Sequence, residues 1–179
     1  MKIKKKSFYL RYIQKINHVL NNIELNKIEI LEKLIKKSKN NKILIFGNGA
    51  GASIASHFAN DLSNISKIKT LSFDNSAHLT CFANDYGFDN WIKKTLQHHY
   101  IRGDLVILLS ASGNSKNMLV AANYCNKKKI NFFSITGFQK NNKLNKLSKN
   151  TMWINSKSYN HVETIQQLIL LSLVDRLKK

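Results

Sequence analysis

The stretch LVILLSASGNS, residues 105–115, decides the fold that we predict for this chain. Five consecutive apolar residues indicate a strand that is buried on both faces, as in a parallel sheet covered by helices. The polar segment Ser110–Ser115 follows at once, and a helical pattern begins near Lys116. A strand, a polar loop and a helix in this order form the repeating unit of an α/β domain.

The same unit recurs along the chain, since four further short β-rich runs precede polar residues and a helical pattern. These runs are Ile43–Phe46, Thr70–Phe73, Asn131–Ile135 and Thr151–Ile154. A closing helix is predicted from about Val162 to Leu177. The predicted fold class is therefore α/β, with a five-stranded parallel sheet and helices on both of its faces.

An amphipathic segment precedes the first strand, because apolar residues recur at three- and four-residue steps between Tyr9 and Lys37. The phase of the pattern slips near Lys27, so the segment forms either one helix or two. Its apolar face either packs on the domain or serves as a dimerisation surface. We therefore divide the chain into an N-terminal helical segment, residues 1–40, and an α/β domain, residues 41–179.

The formal net charge of +19 is carried by lysines that are spread along the whole chain. Arginine, the preferred residue for reading bases, occurs at only a few positions such as Arg11, Arg102 and Arg176. This pattern indicates a solvated surface, and it leaves open an electrostatic role in drawing in anionic substrates. A nucleic-acid partner is not expected.

No apolar run approaches the roughly 20 residues of a membrane helix, and the N-terminus lacks the apolar core of a signal peptide. Cys81 and Cys125 lie in separate predicted helices, without the spacing of a zinc knuckle. We therefore predict a cytoplasmic protein with no membrane association and no disulfide, in which both thiols are buried.

Two loops at the carboxyl ends of predicted strands are candidates for ligand binding. In Ser110–Ser115, three hydroxyls and backbone N–H groups meet at a helix start, so this loop is predicted to hold a phosphate. A glycine-rich loop at residues 47–51 follows the first strand and also opens a helix. Its spacing is not that of a dinucleotide site, and a tight turn explains it nearly as well.

Five motifs in this chain together resemble one family. They are Gly47-Asn48-Gly49, His57–Leu62, Asn84–Phe88, Ser110–Ser115 and Ile135-Thr136-Gly137. In order and spacing they resemble the phosphoheptose isomerases, a branch of the sugar isomerase (SIS) family, along nearly the whole chain. The resemblance implies a flavodoxin-like sheet and a homotetramer with sites at subunit interfaces. It also implies conversion of sedoheptulose 7-phosphate to a heptose 7-phosphate for lipopolysaccharide or capsule synthesis.

The resemblance further implies a substrate site and its catalytic residues. Positions that contact substrate are occupied by Asn48, Gly49, Ala50, Asn84, Asp85, Ser110, Ala111, Ser112 and Ser115. Asp61 takes the place of the family's glutamate base, four residues after His57, so both face one side of a helix. Glu163 takes the place of a glutamine on the last helix and is a candidate second proton carrier. With His57 and Asp61 it is also a candidate zinc ligand.

Two positions depart from the family pattern. Leu171 stands where the last helix carries the catalytic histidine, and Ile65 replaces an arginine. Leucine cannot transfer a proton, so either the acidic residues take over isomerisation or the chain retains only phosphate binding. The second alternative predicts a sugar-phosphate sensor, or a scaffold like the relative in this branch that partners the bacterial replication initiator.

Overall fold

A five-stranded parallel sheet lies at the centre of the structure, a computed structural model that describes residues 7–178. The strand order is β2-β1-β3-β4-β5, which is the order of flavodoxin-like sheets. The strands are β1 (Ile43–Phe46), β2 (Thr70–Ser72), β3 (Leu105–Ser110), β4 (Phe132–Thr136) and β5 (Asn150–Trp153). The predicted fold class and strand number are confirmed.

Helices cover both faces of this sheet. They are α1 (Phe8–Asn21), α2 (Leu25–Lys37), α3 (Ala50–Asn64), α4 (Ser76–Tyr86), α5 (Trp91–His99), α6 (Lys116–Lys128), α7 (Lys143–Leu147) and α8 (Tyr159–Leu177). The N-terminal segment thus forms two helices. Of the predicted segments 1–40 and 41–179, residues 1–6 and 179 lie outside the described residues. Within 7–178, no helix combines the length and apolar character needed to cross a bilayer.

The sheet separates two hydrophobic clusters, because successive side chains of a strand point to opposite faces. On one face, β1 residues such as Ile45 pack in a cluster with Leu31 of α2, Phe58 of α3 and Ile169 of α8. On the other face, Phe46 belongs to a cluster formed with α5 and α6. Every residue of β1 and β3 is buried, which explains why these strands are apolar without alternation.

Sheet order determines where the loops meet. Strand β1 pairs with β3 in parallel, so that Phe46 lies opposite Leu108 near the carboxyl ends of both strands. The chain leaves β1 toward β2 on one side, whereas β4 and β5 extend the sheet beyond β3 on the other. The crevice beside such a reversal is where open α/β sheets bind ligands. The glycine loop and the serine loop both emerge there.

The two cysteines have different environments. Cys125 of α6 is fully buried in the cluster of the second face, and burial raises the pKa of its thiol to about 12. Cys81 is exposed, so the prediction that both thiols are buried was wrong for this residue. The physical reason is that α4 contacts the molecule along one side only and buries none of its residues.

We expect a thiol reagent to label one cysteine per folded chain at pH 8, because the thiolate is the reactive species and Cys125 is protected. The Cys81→Ser variant should remain unlabelled when folded and react once in denaturant. Absorbance of the released thiol dye measures the number of labelled cysteines in the folded and in the denatured protein. Rapid labelling of two thiols in the folded protein would contradict the buried position of Cys125.

Candidate active site

The loop after β1 turns sharply, and two of its glycines are required for that turn. A Cβ on Gly47 would lie 2.2 Å from the backbone of Gly51. Gly49 precedes α3 with φ 54° and ψ −124°, a conformation that L side chains rarely adopt. The Gly51 N–H donates to the Asn48 carbonyl at 2.9 Å. The chain therefore passes from β1 into α3 within three residues, which brings the start of α3 to the carboxyl edge of the sheet.

In the loop after β3, two of the three predicted hydroxyls are in contact. Ser110 Oγ donates to Ser115 Oγ at 3.3 Å, and Ser110 is itself buried. Ser115 precedes the first residue of α6, yet its hydroxyl makes no capping hydrogen bond to the helix. Ser112 Oγ accepts from the Asn114 N–H at 3.2 Å. The Ser115 hydroxyl is thus available to an anion at the positive end of the helix dipole.

A buried asparagine from the connection after β4 braces this serine loop. Asn142 Nδ2 donates to the carbonyls of Gly137 and Gln139 at 3.2 and 2.8 Å. Gly113 has φ 66°, and a Cβ at this residue would lie 2.1 Å from the Asn142 side chain. The Leu144 N–H also donates to the Gly113 carbonyl at 2.9 Å. The shape of the serine loop therefore depends on residues about thirty positions later in the chain.

A pair of side-chain amides joins the glycine loop to α6. Asn48 Nδ2 donates to Asn117 Oδ1 at 3.1 Å, and Asn117 Nδ2 donates to Asn48 Oδ1 at 2.8 Å. Asn117 is 1% exposed, and its Oδ1 also accepts from the Met118 N–H at 3.0 Å. Sequence reasoning missed Asn117, because an asparagine in the first turn of a helix is ordinarily solvated and nothing local distinguishes this one.

The predicted His57–Asp61 pair is formed on α3. His57 Nε2 lies 3.1 Å from Asp61 Oδ2, as the four-residue spacing predicts. The side chains of His57 and Asp61 are 47% and 32% exposed, so the pair is reachable by a ligand. On the other side of the ring, Gln167 Nε2 of α8 lies 3.4 Å from His57 Nδ1. Gln167 is a second residue that sequence reasoning did not single out.

A cleft of about 460 Å³ separates α3 from α8 beside this pair. Its lining residues are Ala50, Ser53, Ile54, His57, Asn160, Glu163, Thr164 and Gln167. Glu163 therefore lies in one cleft with His57, whereas Asp61 is not among the lining residues. Burial raises the pKa of the Glu163 carboxyl group. Leu171 lies two turns further along α8 and is half-buried. It contributes no polar side-chain atom to the cleft.

The predicted metal ligands do not assemble as a ligand set. Among residues 7–178, no three or more His, Cys, Asp or Glu side chains lie close enough to hold a metal ion. His57 and Asp61 contact each other, and Glu163 approaches the cleft from the opposite helix. Structural zinc takes four ligands and catalytic zinc three from the protein. The predicted ligand set of His57, Asp61 and Glu163 therefore does not fit a zinc ion.

Asn84 and Asp85 lie at the C-terminal end of α4, and both are exposed. Asn84 Nδ2 donates to Asp85 Oδ1 at 3.1 Å, and the Cys81 thiol donates to Asp85 Oδ2 at 3.6 Å. The cleft is lined by α3 and α8 alone. Of the predicted substrate-contacting residues, only Ala50 is among those that line the cleft, so Asn84 and Asp85 lie outside it, as do the serines of the loop after β3.

Comparison with known proteins agrees with this architecture. A family model for the SIS domain matches residues 9–137. The chain therefore belongs to the SIS domain family.

Its relatives specify a branch of that family. The phosphoheptose isomerase of Helicobacter pylori strain Shi470 is 30% identical over 182 residues, which cover 97% of this chain and 94% of that protein. Phosphoheptose isomerase 2 of Campylobacter jejuni is 40% identical over 126 residues, which cover 65% of this chain and 61%, less than two thirds, of that protein. The chain thus falls in the phosphoheptose isomerase branch.

A solved structure shows the same fold over almost the full length. The phosphoheptose isomerase of Neisseria gonorrhoeae superposes with a TM-score of 0.87 at 21% identity, covering 95% of this chain and 97% of that one. At this identity the likeness concerns the fold. It confirms the flavodoxin-like arrangement that the resemblance implied.

We expect the Gly113→Ala substitution to weaken phosphate binding and to destabilise the fold by roughly 1–3 kcal/mol, because Ala is strained at positive φ and its Cβ would meet Asn142. Calorimetry with inorganic phosphate and urea unfolding measure the two effects. Gly51→Ala is the matched control, since its Cβ would meet its nearest atom at 3.9 Å. Equal behaviour of the two variants would contradict the proposed bracing.

The amide pair predicts energetic coupling between Asn48 and Asn117. In a double-mutant cycle with alanine, we expect an interaction free energy of about 0.5–3 kcal/mol, the range for residues in direct contact. Urea unfolding of the wild type, both single variants and the double variant measures it. The control pair is Asn48 with Asn126. Asn126 lies at the far end of α6 and donates to the Leu147 carbonyl. Additivity for Asn48 and Asn117 would refute the coupling.

Proposed function

We propose that this protein is an aldose–ketose isomerase of a phosphorylated sugar. The observation that supports this most directly is the Asn48–Asn117 amide pair, because it links the start of α6, where the serine loop lies, to the loop that opens α3. The helix that carries His57 and Asp61 is thereby held next to an anion-binding helix start. A ligand with a phosphate at one end and a reactive carbon at the other fits such an arrangement.

The phosphate is assigned to the serine loop. Ser112 and Ser115 provide hydroxyl donors, and Ser110 orients the Ser115 hydroxyl by donating to it. Ala111 contributes backbone only, and α6 adds the positive end of its dipole. The backbone of Asn48, Gly49 and Ala50 provides a second helix start for the hydroxyl groups of the sugar. The net charge of +19 favours the approach of a dianionic ligand.

Isomerisation requires a base and an acid. In the proposed mechanism the Asp61 carboxylate removes a proton from the carbon beside the carbonyl, and the C–H electron pair forms an enediol. Glu163, which lies in the cleft with His57, donates a proton to the carbonyl oxygen. Return of the proton from Asp61 to the former carbonyl carbon, with loss of a hydroxyl proton to Glu163, completes the exchange. Neither step is routed through a metal ion.

The substrate is proposed to be sedoheptulose 7-phosphate or a related sugar phosphate. The support is the branch to which the chain belongs, since the compared relatives are named phosphoheptose isomerases. Its product would be a heptose 7-phosphate for lipopolysaccharide or capsule synthesis. We propose a cytoplasmic site of action, because such phosphorylated intermediates are made and used inside the cell.

We further propose that the N-terminal helical segment, residues 1–40, supports assembly into a homotetramer. Phe8, Tyr9 and Ile13 of α1 are 64, 76 and 54% exposed, and apolar side chains in such number on one short helix indicate a contact surface. A neighbouring subunit would also explain why Asn84 and Asp85 lie outside the cleft of their own chain. Nucleic acid is not proposed as a partner.

Leu171 and Ile65 favour a second candidate, a catalytically silent sugar-phosphate-binding regulator or scaffold. Neither side chain can carry a proton or a charge, and both stand at positions that are polar in the family pattern. Such a protein would bind sugar phosphate in the serine loop without exchanging any proton. The two candidates therefore differ in turnover and not in binding.

We expect the protein to exchange deuterium from solvent into sedoheptulose 7-phosphate at the carbon beside the carbonyl, as followed by NMR. Asp61→Asn should bind the sugar phosphate as tightly and lower the exchange rate by about 10²–10⁴-fold, because a general base contributes that much. Asp175→Asn is the matched control, since Asp175 is an exposed carboxylate on α8. Binding without exchange by the wild type would refute isomerisation and support the regulator.

A further inference from the structure

Leu171 stands where the family pattern has a histidine, which raises the question of what orients the His57–Asp61 pair. We propose that Gln167 is a positioning residue whose amide fixes the tautomer of His57, and that His57 then holds the Asp61 carboxylate in the orientation needed for proton abstraction. This arrangement takes the place of a metal ion in organising the site. The inference rests on the proposed function, and it concerns the same site.

The hydrogen-bonding roles of the three side chains are mutually consistent. An ionised carboxylate only accepts hydrogen bonds, so His57 Nε2, 3.1 Å from Asp61 Oδ2, must carry the hydrogen. In a neutral imidazole the other nitrogen is then an acceptor. The Gln167 Nε2 group, 3.4 Å from His57 Nδ1, is a donor and matches that acceptor. Asp61 and Gln167 therefore favour the same tautomer of the ring from its two sides.

The placement of Gln167 is set by its neighbours on α8. Gln166 is 1% exposed, and its Nε2 donates to the Ile135 carbonyl of β4 at 3.0 Å. Ile165 and Ile169, on the same side of the helix, are buried in the cluster that also contains Phe58 of α3. These contacts fix the rotation of α8 about its axis. Gln167, one turn after Glu163, consequently faces α3 across the cleft.

The same contacts occupy His57 at both ring nitrogens. To coordinate a metal ion, His57 would have to give up either its contact with Asp61 or its contact with Gln167. Leu171 supplies no replacement ligand, and among the residues that the structure describes no third His, Cys, Asp or Glu joins the group. Second-layer groups that orient a histidine are worth about 10–100-fold in activity in metal enzymes. Here Gln167 provides that orientation without the metal.

The decisive experiment is ¹⁵N NMR of the His57 ring in the full-length protein at pH 8, above the ordinary histidine pKa of about 6.5. We expect the wild type to show the Nε2–H tautomer. Gln167→Met, which keeps the length and removes the amide, should lower the share of this tautomer, because only Asp61 then favours it. Gln97→Met on α5 is the matched control and should leave the His57 signals unchanged.

Kinetics and zinc titration complete the test. We expect Gln167→Met to lower kcat about 10-fold with little change in KM, because orientation and not binding is lost. Zinc should bind with less than one equivalent at micromolar concentration, with the His57 signals unmoved. An Nδ1–H tautomer in the wild type, an unchanged tautomer in Gln167→Met, or stoichiometric zinc binding at His57 would each overturn the proposal. The NMR measurement does not require substrate turnover. Failure of the proposed function is therefore distinguishable from failure of the proposed role of Gln167.

Discussion

The parallel pairing of β1 with β3 is the constraint on which the rest of the molecule depends. It places the carboxyl ends of two buried strands side by side, with Phe46 opposite Leu108. The helices that leave those ends, α3 and α6, then start at one edge of the sheet with their positive dipole ends near each other. A one-residue shift in register would exchange the side chains that pack in the two hydrophobic clusters, so the pairing is strongly specified.

The site is built from this edge by polar contacts between segments that are distant in sequence. The amides of Asn48 and Asn117 connect the two loops across 69 positions, and Asn142 shapes the serine loop from the connection after β4. Buried polar groups of this kind are costly when unpaired, so each must have its partner in the folded state. The serine loop is consequently held by defined contacts, among them the Leu144 N–H bond to the Gly113 carbonyl.

The His57–Asp61 pair is more exposed than the serine loop and is held by fewer contacts between distant segments. His57 and Asp61 are partly exposed on α3, and their organisation comes from one helical turn and from Gln167 on the facing helix. The family pattern would place a histidine at position 171, where this chain has leucine. The proposed phosphate site therefore follows the family pattern closely. The proposed proton-transfer site instead uses carboxylates and amides where the family pattern has a histidine.

The sequence by itself determined the fold and the position of the serine loop at a helix start, because both depend on local order along the chain. Apolar runs such as Ile43–Phe46 identify strands buried on both faces, and serines after such a strand identify a helix start that suits an anion. The four-residue spacing likewise predicted the His57–Asp61 pair. Only the tertiary structure decided the roles of Asn117 and Gln167, the exposure of Cys81 and the absence of a third metal donor near His57 among residues 7–178. These features depend on which helix face turns toward which neighbour, a property of packing across long sequence separations that no local pattern encodes.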